Sequence, residues 1–236
     1  WANPRRIHLQ VEAKKLAFAE RDRHVADPAF YQAPLERLLS KDHAARLRRQ
    51  IDPERAMPPA ASAAHPGGTT YFAVADARGN LVSCVQSLFK GFGALVVPPG
   101  TGISLHNRGS YFSLDPTHPN VIAPGKRPFH TLMASMVFRG DRPVLVFGTM
   151  GGDGQPQTHM QVFSNIFDHG MDVQEAIEAP RWLHGESGPQ RAGARLYLES
   201  RYGEDSVEAL KCMGHDALPV GPWEDMMGHA QGIWVG

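Results

Sequence analysis

Apolar residues near the start of the chain recur at helical spacing, and at Thr69 the period changes to two. Ile7, Val11, Leu16, Ala17 and Phe18, set among charges, predict an amphipathic helix over 6–26 that Pro28 ends. A short helix is expected over Leu35–Leu39. Ser40 is a good N-cap for a third helix from Lys41 to Ile51, with Pro53 as its stop. The charges Lys14, Lys15, Arg21, Asp22 and Arg23 read as a solvated face. From Thr69 onward, Thr70, Phe72 and Val74 alternate against Tyr71, Ala73 and Ala75. A turn over Asp76–Asn80 leads to a second strand, Leu81 to Phe89, so the two read as a hairpin.

The rest of the chain is broken by glycine and proline. Residues 91–102 and 117–131 read as loops. Met133–Phe138 and Val144–Thr149 are expected strands flanking the turn Arg139–Pro143. A helix over 156–168 is closed by His169-Gly170, and another over Val173–Ala179 stops at Pro180. A short strand at Leu196–Glu199, a helix over Asp205–Met213 with Gly214 at its C′ position, and a strand at Gly232–Val235 complete the reading. Helices, two strand pairs, more helices and a strand favour an α+β layer fold over either pure class.

Composition narrows the function classes. Lys plus Arg equals Asp plus Glu at 24 each, so no basic field points to nucleic acid and no polybasic run to a membrane surface. No apolar run reaches membrane-spanning length. The twelve His show no HExxH or paired Cys/His spacing, and no metal or cofactor is expected. Cys84 and Cys212 read as two buried free thiols, with a single bridge as the alternative. The chain begins Trp1-Ala2-Asn3-Pro4 and ends within an apolar run, which reads as a fragment of a longer protein with its compartment unspecified.

The chemistry concentrates where the period changes. Met57–His65 has neither helical nor strand periodicity, and Pro66-Gly67-Gly68 then delivers Thr69 to the head of a strand. A Thr hydroxyl needs a base beside it to act as a nucleophile. If the Gly68–Thr69 bond is cut, the freed α-amino group, with an ordinary pKa of about 7.7–8.0, supplies one. Gly68 has no Cβ to hinder attack on its own carbonyl. A plain loop entering a strand is the competing interpretation of the same residues.

Several motifs, in order, carry a resemblance. Val11–Arg21, Thr69-Thr70 with Val74-Ala75-Asp76, Pro124–Pro128, Gly148–Gly152 and Glu175–Arg181 together resemble the γ-glutamyltranspeptidase family of N-terminal-nucleophile hydrolases, over nearly the whole chain. The resemblance implies an αββα four-layer sandwich, incomplete here at both ends, and self-cleavage between Gly68 and Thr69. It further implies acyl transfer through an acyl-enzyme. Residues 1–68 would be the end of the large fragment and 69–236 most of the small one, held as a heterodimer. By the same resemblance Thr69 is the nucleophile, Ser87 a second hydroxyl beside it, and Gly151 and Gly152 the oxyanion pair.

The departures from the family pattern concern the acyl donor. Phe89 stands where an Asn is usual, Arg108 where Gln or Glu is usual, Tyr111 where the amine-binding Asp is usual, and His130-Thr131 where two Ser contact a carboxylate. Arg108 suits a carboxylate, which it can grip with two parallel hydrogen bonds, and not an ammonium. A structural ion pair of Arg108 with Asp115 or another acid is the alternative. The expected substrate is a small-molecule amide whose acyl part bears a carboxylate, as in a divergent branch that includes oxamate amidohydrolase and some cephalosporin acylases. True γ-glutamyl hydrolysis and an inactive binding scaffold stay open.

Overall fold

The computed structural model of the chain describes residues 2–58, 68–185 and 194–235. The first helix, α1, spans Pro4–His24; Asn3 starts it, its side chain accepting the Arg5 N–H at 2.8 Å. α2 (Leu35–Leu38) and α3 (Lys41–Arg48) follow, and Ser40 caps α3 through the His43 N–H as expected. The expected linker falls mostly in 59–67, outside the described residues.

β1 (Gly68–Ala75) pairs antiparallel with β2 (Leu81–Phe89), in the hairpin that the alternation predicts. β3 (Ser135–Arg139) and β4 (Arg142–Gly148) form a second sheet with β8 (Gln231–Trp234), in the order β3-β4-β8. Pro143 sits where the β3–β4 register shifts, the place in a ladder that tolerates a missing N–H.

Val144 to Phe147 are all buried, because β4 is covered on both faces. Its Gly148 receives the ring of Tyr71 from β1; a Cβ there would stand 2.3 Å from that ring. The opposite face places Leu145 and Phe147 against Val162 and Ile166 of α4 (Gln155–Phe167) and Ala176 of α5 (Val173–Glu178).

A third sheet, absent from the sequence reading apart from its middle strand, lies beyond α4. β5 (Trp182–Gly185), β6 (Arg195–Glu199) and β7 (Ala217–Val220) run in that order, with β6–β7 parallel. β5 is four residues long and buried throughout, so no alternation reveals it, and Pro219 disguises the edge strand β7. Gln157 and Gln161 of α4 pair their side-chain amides with the backbone of His184 and Trp182, at 2.8–3.1 Å, and so satisfy the free edge of β5. Behind this sheet α1 and α6 (Glu204–Cys212) close a core of Ile7, Val11, Trp182, Leu196, Leu198, Val207 and Leu210.

Two expectations are corrected. Lys14 and Lys15 are buried rather than solvated, and Arg21 reaches inward to Asp153, because α1 is wrapped by the later chain on more than one side. The cysteines are free, but Cys84 is half-buried and Cys212 exposed. Among the described residues no helix is long and apolar enough to cross a membrane.

Candidate active site

Thr69 lies one residue into β1, directly opposite Ser87 in the ladder, and their hydroxyl oxygens are 2.8 Å apart. Ser87 Oγ also accepts the Phe89 N–H at 2.9 Å. That bond belongs to a local turn in which Phe89 takes φ 78°, a conformation that non-glycine residues seldom adopt. The ladder shifts register between Gly68 and Thr69, so the expected scissile bond sits at an irregularity and not within regular pairing. A Cβ on Gly68 would stand 2.8 Å from the Gly91 carbonyl oxygen, so that position admits no side chain without a backbone shift.

Phe89 opens an aromatic wall. Its ring meets Tyr111 at 4.8 Å, and Tyr111 meets Phe129 edge-on at 4.9 Å. Arg108, 3% exposed, lies over the Phe89 ring at 5.1 Å and donates from Nη1 to Thr131 Oγ1 at 3.1 Å. Its Nη2 is buried and has no hydrogen-bond partner among the described residues. The alternative, an ion pair with Asp115 or another acid, does not form among the described residues, where the Asp115 carboxylate is turned to the Thr117 N–H and hydroxyl. His130 is exposed over much of its surface, yet partial desolvation of its ring, followed by the charges of Arg108 and Arg127, lowers its pKa, which favours the neutral ring.

Asp153 is the residue that the sequence reading passed over. Flanked by Gly152 and Gly154 before a helix, it looks like an N-terminal cap. Instead it is 1% exposed, accepts from Tyr111 Oη at 3.0 Å, and pairs with Arg21 Nη1 at 2.7 Å. Burial and the Asp153 charge push the Tyr111 phenol far up, so it is a neutral donor. No spacing signal links Arg21, Tyr111 and Asp153, which lie 90 and 42 positions apart.

Gly151 and Gly152 are buried just beyond β4, with φ of 123° and 55°, values that exclude most side chains. Gly148, three residues before Gly151, holds the Tyr71 ring, and Tyr71 is two residues past Thr69. The glycine pair and the hydroxyl pair therefore share one end of the two packed sheets.

A second polar cluster stands behind α1. His8, Glu12 and His215 offer ligand atoms within 4.8 Å of one another, all buried. Each is engaged in the fold. His8 bonds His215 and the Asp52 carbonyl, both at 2.8 Å, and Glu12 takes the Lys15 ammonium at 2.6 Å and the Met57 N–H at 2.8 Å. Lys14 lies 3.2 Å from His184 Nδ1, its pKa lowered to about 7 by burial and then by Arg21.

The β1–β2 sheet packed on the β3-β4-β8 sheet, with α4 and α5 outside, has the layered architecture of the N-terminal-nucleophile hydrolases. The chain belongs to the γ-glutamyltranspeptidase family, whose sequence profile matches residues 1–236. It is 44% identical over 229 residues to the glutathione hydrolase-like YwrD proenzyme of Bacillus subtilis, covering 97% of this chain and 43% of that protein. It is 41% identical over 227 residues to the oxamate amidohydrolase proenzyme of Klebsiella pneumoniae, covering 96% and 43% respectively. The crystal structure of a cephalosporin acylase from Bacillus halodurans superposes with a TM-score of 0.84 at 40% identity, over 98% of this chain and 41% of that one. The chain thus spans less than half the length of these relatives.

Proposed function

We propose that the chain is the catalytic region of an autoprocessing amidohydrolase that acts on amides whose acyl part carries a carboxylate. The observation that carries this reading is the 2.8 Å pair of Thr69 Oγ1 and Ser87 Oγ beside a buried Arg108 with an unused donor. In processing, Thr69 Oγ attacks the Gly68 carbonyl carbon, the C–N bond breaks, and the nitrogen takes the proton to become the free amine. Water then hydrolyses the Gly68 ester. In turnover the same oxygen attacks the substrate amide, the α-amine takes its proton and passes it to the leaving amine, and water releases the acid. An amino acceptor in place of water gives transfer.

Gly151 and Gly152 are the proposed donors to the tetrahedral oxyanion; losing one such donor typically costs about 2.7–4 kcal/mol. Arg108 and Thr131 hold the acyl carboxylate, with Phe89, Tyr111 and His130 shaping the pocket. The similarity to an oxamate amidohydrolase supports a short acyl group with an acid beside the amide, since oxamate itself has that form. The glutathione hydrolase-like relative keeps γ-glutamyl hydrolysis as the second reading. Residues 1–68 and 69–236 would remain together as a heterodimer after cleavage.

Intact mass of the purified full-length protein, followed over time beside Thr69→Ala, tests the core of this reading. Two fragments meeting at Gly68/Thr69 are expected, and none in the variant. A single stable species in both, with the protein folded, defeats the mechanism and leaves a binding scaffold. γ-Glutamyl anilide turned over in strong preference to its des-amino analogue decides for the second reading.

A further inference from the structure

We propose that Tyr111 and Arg21 together silence the Asp153 carboxylate, so that the acyl pocket refuses an α-ammonium and that Tyr111→Phe re-admits one. This rests on the carboxylate-donor reading of the same site and adds the residue that sets its selectivity. Where γ-glutamyl enzymes are expected to carry an acid at position 111, this chain carries the acid at 153 in space beside it. Both oxygens of that acid are taken: Oδ2 by the Tyr111 hydroxyl at 3.0 Å, Oδ1 by Arg21 at 2.7 Å.

Arg21 is shared between Asp153 and Asp22, at 2.7 and 2.6 Å, whereas Arg108 pairs with no carboxylate among the described residues, and its Nη2 is buried without a hydrogen-bond partner there. An entering carboxylate meets that donor. An entering ammonium meets Arg108 with no anion free to receive it, a like-charge approach in a desolvated wall. Removing the phenol oxygen leaves Asp153 Oδ2 buried without a donor, and an ammonium N–H can then supply one. The aromatic ring, its tilted contact with Phe89 and its edge contact with Phe129 are kept by phenylalanine.

The test is calorimetric binding of two acid pairs that differ only by the α-ammonium, succinate against L-aspartate and glutarate against L-glutamate, to the purified self-cleaved full-length protein. The wild type is expected to prefer the plain acid of at least one pair by tenfold or more. Tyr111→Phe is expected to narrow that ratio at least tenfold, chiefly by tightening the amino acid. The double variant Tyr111→Phe/Asp153→Asn is expected to lose the gain, because the freed carboxylate is what receives the ammonium.

Equal wild-type affinities within each pair overturn the inference whatever the variants do. Equal weakening of both acids by Tyr111→Phe also overturns it, since a merely structural tyrosine would behave so, while the carboxylate-donor reading stands. Binding of none of the four acids by a protein that has cleaved itself defeats the carboxylate-donor reading itself and the inference with it.

Discussion

Ser87 serves two partners at once, holding Thr69 at 2.8 Å and fixing the strained turn at Phe89 through its N–H. Ser87→Ala removes both. Removing one partner of a part-buried hydrogen bond to the reacting hydroxyl is worth about 1–3 kcal/mol, so fragment formation should slow by about 5–150-fold. Timed intact-mass spectra read this directly, and an unchanged rate would remove Ser87 from the mechanism. Gly68→Ala acts by space instead. Its methyl would press on the Gly91 carbonyl oxygen, backbone that cannot swing away. Cleavage is expected to stall while thermal unfolding shifts little, since Gly68 is itself exposed at the strand end.

At the scale of elements, α4 joins the two larger sheets. One side lays Val162 and Ile166 on β4, and another lends Gln157 and Gln161 to the edge of β5. His159 lies on its sheet-facing side, with Nδ1 2.8 Å from Ser135 Oγ and its ring 5.2 Å from Phe147. Burial lowers its pKa to about 4. The unfolded chain, with an ordinary value of about 6.5, takes up a proton first as pH falls. This group's contribution is therefore complete above about pH 6.5 and declines toward about 4, amounting to about 2 kcal/mol lost between pH 7 and pH 5. Urea unfolding at the two pH values should show a smaller loss in His159→Gln than in the wild type. Equal losses would mean that His159 titrates normally in the folded protein.

At the scale of the whole molecule, α1 is bound to the later chain mostly by buried polar contacts. Arg21 meets Asp153, Lys14 meets His184, His8 meets His215, and Arg6 reaches Ser164 and Asn165 at 3.0–3.1 Å. Beneath them Ile7 and Val11 share a core with Leu198 and Leu210, each buried aliphatic side chain worth about 1.5–3 kcal/mol. A cut at Gly68–Thr69 leaves all of these intact. The two proposed fragments should therefore elute together in native size-exclusion chromatography and separate only in denaturant. Separation under native conditions would show that the chain between them, and not this interface, holds them.

The sequence by itself determined the hairpin β1–β2, the caps at Ser40 and Gly214, and the placement of Thr69 at a strand head. Those features depend on neighbours within a few residues, where periodicity, capping and glycine act directly. It also pointed to Ser87, Gly151 and Arg108 through the order of motifs. Only the tertiary structure decided that Lys14 and Arg21 face inward, that β5 and β7 are strands, and that Asp153 joins Tyr111 and Arg21. A helix carries no label for how many of its sides will be covered, and a four-residue strand buried on every side has no period to read. Asp153 meets Tyr111 from 42 positions away and Arg21 from 132, so their pairing is a property of how the layers stack, which no local pattern encodes.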